Sequence, residues 1–151
     1  MSEIDNQASN IISEQNQLLD LSKSLLNLAA SLESFEKRYF LDLRLEDHRN
    51  WVKTLKGAVE SKNPNIQLAL DHTLCKFGKW YFNYTPTPEE QYIFHKIDKP
   101  HQLIHATGRE VLNELRKGDY KKAESIFENE ILKLMHEIEE LFAKYKLSLI
   151  K

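Results

Sequence analysis

Apolar residues open the chain at heptad spacing. Ile4, Ile11, Leu18, Leu25 and Leu32 recur every seven residues, and Leu21, Leu28 and Phe35 fill the position three residues after each of the last three. From Leu18 to Phe35 every a and d position is apolar, the pattern of a coiled-coil seam. Gln7 and Glu14 occupy the upstream d positions, so the seam weakens toward the start. A stripe of this kind can also belong to an amphipathic helix folded back on its own domain. Its narrow, strict a/d character favours an intermolecular coiled coil over residues 1–38.

Beyond it the apolar positions keep helical spacing. The first helix continues through "YFLDLRLEDHRNWVKTLKGAVES" and is predicted to stop at "KNPN", because Pro64 excludes helical geometry from the residue before it. A second helix is predicted from about Asn65 to Phe82. "YTPTPEE" reads as a loop, with Thr87 as N-cap and Pro88 opening a short turn. A third helix is expected from a cap at Asp98 to a C-cap at Gly118. In the last helix Phe127, Ile131, Leu134, Ile138, Leu141 and Tyr145 form the apolar stripe. No segment shows sustained alternation of β-branched residues. The expected fold is all-α: an antiparallel four-helix bundle over 39–151, carrying an N-terminal coiled-coil helix extension over 1–38.

Composition narrows the function. The chain of 151 residues suffices for one domain plus an extension. A formal net charge of −2, with no basic run, gives no electrostatic case for nucleic acid. No apolar stretch approaches the ~20 residues that span a bilayer, so direct membrane insertion is not expected. The start, "MSEIDNQASN", is polar and acidic, unlike a secretory signal. One cysteine cannot form an intrachain disulfide, which fits a reducing compartment; the expected localisation is cytoplasmic.

That cysteine, Cys75, stands in "LCKFGKWYF" beside Gly78 and among large aromatics. A free cysteine is often simply a buried core residue. The alternative is a metal ligand with partners elsewhere. "HQLIH" supplies His101 and His105, four apart on one helical face and able to share an ion. His48 lies in "EDHRNWV". Counted from the turn near Asn63, both His48 and Cys75 fall roughly 18–22 Å along their helices, so an antiparallel pair brings them to one height. His48, Cys75, His101 and His105 then form a closed set of three imidazoles and one thiolate, which suits Zn²⁺. Mg²⁺ and Ca²⁺ want oxygen ligands. His72, His95 and His136 are the spare histidines, with His72 a possible rival ligand. On an ideal helix Cys75 projects away from the stripe of Leu70, Leu74, Phe77 and Tyr81. The second helix is therefore either apolar on two sides or distorted near Gly78.

"HRNW", then "CKFGKW" and then "HQLIH", in that order and at those spacings, resemble the chemoreceptor zinc-binding (CZB) domain family over about Tyr39 to Lys151. The N-terminal heptad is similar, less specifically, to the closing stretch of a methyl-accepting chemotaxis receptor signalling domain. The resemblance implies a dimeric helical bundle that binds zinc through His48, Cys75, His101 and His105. It further implies a sensory role, with chemotaxis or other signalling proteins as partners and zinc or oxidants such as hypochlorous acid as the signal. Output is then expected to pass through residues near 1–45 or through a partner on the bundle surface. The alternative is a structural dimerisation module stapled by zinc. An enzyme is not expected: four protein ligands leave no position open for water, and no HExxH-like arrangement supplies a general base.

Overall fold

A computed structural model describes residues 2–150; residues 1 and 151, the outermost positions of the two expected units, lie outside them. The all-α expectation holds, with no strand among the described residues. Helix α1 runs Glu3–Ser61, α2 Lys76–Tyr81 and α3 Gln91–Lys117. Helix α4, Tyr120–Ile126, passes through a π turn at Phe127–Ile131 into α5, Leu132–Ser148, as one continuous rod.

Pairings along the helices give the topology. Ser34 meets the Leu149 carbonyl, Asp42 pairs with Lys146, and Arg49 lies 3.6 Å from Glu139. Rising numbers on α1 thus meet falling numbers on α5, and the two run antiparallel. Lys37 meets Glu90 while His48 meets His101, so α1 and α3 run the same way. The return leg between them is the surprise. Residues 63–75 are not helical, and α2 is only 6 residues long. The expected second helix from Asn65 to Phe82 is replaced by an extended segment followed by a single short helix.

The physical reason is visible in the chain. Asn63 accepts from the Asn65 N–H and Asp71 from the Thr73 N–H, side-chain turns that compete with helix formation. Between them Pro64, Ile66, Leu68 and Leu70 are half-buried while their neighbours are exposed, a period of two that lays one edge of the segment on the bundle. The heights still match. Six extended residues from Asn63 to Ala69 cover ~20 Å at about 3.3 Å each, and twelve helical residues back to Trp51 cover ~18 Å.

Two further boundaries differ from expectation. Helix α3 begins at Gln91, not at Asp98, and contains Pro100. The Thr87 turn leads straight into it: Glu90 and Gln91 donate to the Thr87 carbonyl, and the Glu90 carboxylate accepts from the Thr87 N–H. In the last rod the buried face differs from the expected stripe at two positions, while Phe127, Ile131, Ile138 and Tyr145 are buried as expected. Met135 and Phe142 are buried where Leu134 and Leu141 were expected, and those two leucines are half-buried beside them. Gly118 does take the left-handed C-cap, at φ 81°.

The core joins Leu41, Leu45 and Leu55 of α1 to Ile97, Ile104 and Leu112 of α3 and to Ile131, Ile138 and Tyr145 of the last rod. The heptad residues behave differently. Leu18, Leu21, Leu25, Leu28, Leu32 and Phe35 are each at least 56% exposed. The stripe is not folded back on the bundle. At about 100° per residue, the seam lies on nearly the opposite side of α1 from Leu41, Leu45 and Leu55.

Candidate metal centre

Three of the legs, α1, the return leg and α3, bring His48, Cys75, His101 and His105 to one point. Their donor atoms all lie within 4.8 Å of one another. The imidazole centroids are 5.0 Å apart for His48 and His101, 4.9 Å for His101 and His105, and 5.6 Å for His48 and His105. The three histidines are buried and Cys75 is half-buried.

Backbone carbonyls orient two of the rings. His48 Nδ1 lies 2.7 Å from the Arg44 carbonyl, one turn back on α1, and its buried Nε2 has no hydrogen-bond partner among the described residues. His105 Nδ1 lies 2.8 Å from the Ala69 carbonyl, and its Nε2 is likewise buried and unpartnered. A carbonyl on Nδ1 fixes the tautomer with hydrogen there and leaves Nε2 as a lone-pair donor. His101 turns Nε2 to within 3.3 Å of the Cys75 sulfur. Three imidazole nitrogens beside a sulfur, in a buried pocket, match the donor types that zinc takes.

The extended segment explains why the return leg is not a helix at this height. A helical Ala69 carbonyl would be engaged in its own helix. Here it is free to receive the Trp51 indole N–H at 2.7 Å as well as the His105 ring. Trp51 packs its ring against His105, with centroids 5.3 Å apart. Gly108, on α3, makes room for it, since a Cβ there would stand 2.3 Å from the indole. Arg109 ties the next carbonyl, that of Leu70, at 3.0 Å. Ala69 carries no sequence signature as a functional residue. The period-two run Pro64–Leu70 is the signal that could have exposed its backbone.

Cys75 is not on a helix face at all. It is the N-cap of α2, with φ −67° and ψ 158°, and its sulfur accepts from the Gly78 N–H at 3.3 Å. That resolves its odd projection: the cysteine precedes the helix, so the helical stripe does not apply to it. Gly78 is not a point of helix distortion. A Cβ there would lie 1.8 Å from the His72 carbonyl oxygen, so only glycine lets the turn before α2 close beneath the cap. Phe77 is buried and sets its ring edge-on to His101, at 4.9 Å, as part of the dry wall.

Burial governs the protonation of the site. Desolvation holds His48 below its ordinary value, pushes His105 down to about 4 and His101 to about 2, the last helped by the neighbouring histidines. Burial pushes the Cys75 thiol up, against the opposing pull of the Gly78 and Phe77 N–H groups. Without a cation the histidines are neutral and ready to bind, and the thiol keeps its proton until a metal displaces it. Among the spare histidines, His95 and His136 are exposed, His136 pairing with Glu140 at 3.3 Å. His72 stays beside the cluster, its ring 5.8 Å from that of His101.

Residues 48–112 match the family model of the chemoreceptor zinc-binding domain, CZB, a span that contains all four clustered side chains. No curated protein and no solved structure matches the chain.

Proposed function

We propose, from the chemoreceptor zinc-binding domain over residues 48–112, that the chain is a cytoplasmic sensory module of chemotaxis or related signalling in which His48, Cys75, His101 and His105 hold one Zn²⁺. The observation that carries this is the convergence of three imidazoles and one thiol, buried around a point, with two Nε2 atoms left without any other partner. Bound zinc stabilises the thiolate, the nucleophilic form of Cys75.

A sensor is favoured over a structural staple by access to the sulfur. A cavity of about 310 Å³ opens beside it, bordered by Asp47, Trp51, Leu74, Cys75 and Lys76. A small oxidant such as hypochlorous acid can enter there. The sulfur attacks the oxygen, an S–O bond forms as O–Cl breaks, and chloride leaves with the electron pair. Sulfur is thereby oxidised by two electrons to sulfenic acid, a reversible state and a weaker ligand.

The position of Cys75 gives the event a route outward. Its sulfur caps α2, and α2 places Trp80 against Phe40 of α1 at 5.1 Å and against Tyr84 at 4.8 Å. The Tyr84 hydroxyl and the Glu90 carboxylate in turn hold the Lys37 ammonium, at 2.6 and 3.0 Å. A change in the cap therefore reaches α1 at Lys37 and Phe40, just beyond the end of its exposed heptad stripe at Phe35. The stripe pairs with a second copy of the chain, and the homodimer carries the signal to its signalling partners.

The test is zinc release under one equivalent of hypochlorous acid, read with a chromogenic chelator, alongside trapping of Cys75 sulfenic acid by mass spectrometry. Release is expected to track Cys75 oxidation in the wild type and to be absent in Cys75→Ser loaded with zinc. Equal release from both proteins, or none from the wild type, would leave zinc as a staple.

A further inference from the structure

The His101 ring differs from its two neighbours in one respect. His48 and His105 each set Nδ1 on a backbone carbonyl, whereas His101 Nδ1 is buried with no hydrogen-bond partner among the described residues. A metal-binding histidine almost always donates its second N–H to a carboxylate, carbonyl or water, which fixes the ring and raises its basicity. A donor left unpaired in such a place carries the full cost of its desolvation. One buried carboxylate oxygen on the same helix is also unpaired among the described residues: Asp98 Oδ1. Asp98 precedes His101 by three residues, the spacing at which side chains share a helix face. A helical side chain covers the turn N-terminal to its own Cα, so the His101 ring lies over the turn that carries Asp98.

The surroundings agree. Asp98 is half-buried on α3, and its charge reaches the adjacent α2, where the Tyr81 phenol is pushed up to about 12 by burial first and by Asp98 second. Tyr81 spends its own hydroxyl on the Phe94 carbonyl at 3.0 Å, so it does not take up the free Asp98 oxygen.

We infer that Asp98 is the positioning residue of His101: its Oδ1 accepts the His101 Nδ1–H when Nε2 binds the metal. This rests on the zinc-binding reading above. The carboxylate completes a set in which every histidine of the cluster has its second nitrogen engaged, two by carbonyls and one by a charge. It also gives the site a negative neighbour to offset the cation. His101, which Cys75 touches, is thereby the ligand with the strongest electron donation behind it.

The experiment measures zinc affinity by chelator competition for wild type, Asp98→Asn, Asp98→Ala and His72→Ala, with ¹⁵N spectra of the histidine rings in the zinc-loaded proteins. Asp98→Ala is expected to weaken zinc by about 10- to 100-fold and to shift the His101 Nδ1–H signal while those of His48 and His105 stay in place. Asp98→Asn, which keeps an acceptor but loses the charge, should fall between. His72→Ala should bind as the wild type does. The inference is overturned if both Asp98 variants bind zinc as tightly as the wild type with an unchanged His101 signal, or if His72→Ala produces the effect. Matched helicity of the metal-free variants at neutral pH separates these outcomes from misfolding. A wild type that binds no zinc defeats the zinc-binding reading itself, not the role of Asp98 alone.

Discussion

Metal-free protein is expected to lose stability steeply as pH falls below 6.5. His101 and His105 have folded-state values of about 2 and about 4, against 6.5 when exposed, and His48 is lowered too. Between those limits the unfolded chain takes up protons that the fold refuses. Stability then rises with pH across the window and is lost as pH falls from 6.5 toward 4 for His105 and further for His101. Each of these histidines contributes about 1.4 kcal/mol per pH unit. By pH 4.5 the pair alone removes about 5 kcal/mol, comparable with the whole stability of a small domain. The carboxylates lowered in the fold, such as Glu90 and Glu114, act only below their ordinary value of 4.5, so the upper part of the window belongs to the histidines. Urea unfolding in the presence of a chelator, followed by circular dichroism at pH 7.5, 5.5 and 4.5, measures this. A midpoint that does not move between pH 7.5 and 4.5 would mean that the rings are not buried together as described.

Charged substitutions in the heptad stripe are expected to abolish self-association while leaving metal binding intact. Leu25 and Leu28 are 58% and 66% exposed at consecutive a and d positions. A continuous apolar stripe of this length marks an interaction surface, and the strict a/d spacing specifies a helical partner. Because the stripe lies on the far side of α1 from the bundle core, pairing there does not compete with packing of His48 into the cluster. The double variant Leu25→Asp/Leu28→Asp should sediment as a monomer at concentrations where the wild type is a dimer, with the same zinc content per chain. A wild type that is already monomeric, or a variant that still dimerises, would remove the stripe from the interface.

The long helices were legible because their periods are long and regular. The continuation of α1 to Ser61, the Gly118 cap and the i, i+4 pair of His101 and His105 all follow from spacing and residue type. The return leg was not legible by the same means. Its apolar residues from Ile66 to Tyr81 satisfy a helical pattern closely enough to hide the alternation at Pro64, Ile66, Leu68 and Leu70. Reading that alternation as helix created the puzzle of a cysteine facing the wrong way. The cap expected at Asp98 was not formed, since Asp98 lies inside α3, which already begins at Gln91. In the last rod Met135 and Phe142 take the buried places expected of their neighbours Leu134 and Leu141, because apolar residues stand side by side at both positions. The four candidate ligands could be named from side chains alone. The Ala69 and Arg44 carbonyls that orient two of them could not, because a backbone acceptor exists at every position and only the fold decides which is free.

We propose that one metal ion sits between three histidines and the Cys75 sulfur. The most direct test of this is the metal content of the purified chain together with the absorption spectrum of the cobalt-substituted protein, for wild type and Cys75→Ser. One ion per chain and tetrahedral cobalt bands are expected, accompanied by a thiolate charge-transfer band that disappears in Cys75→Ser. Substoichiometric metal, or a cobalt spectrum that is the same with and without the sulfur, would contradict the proposal.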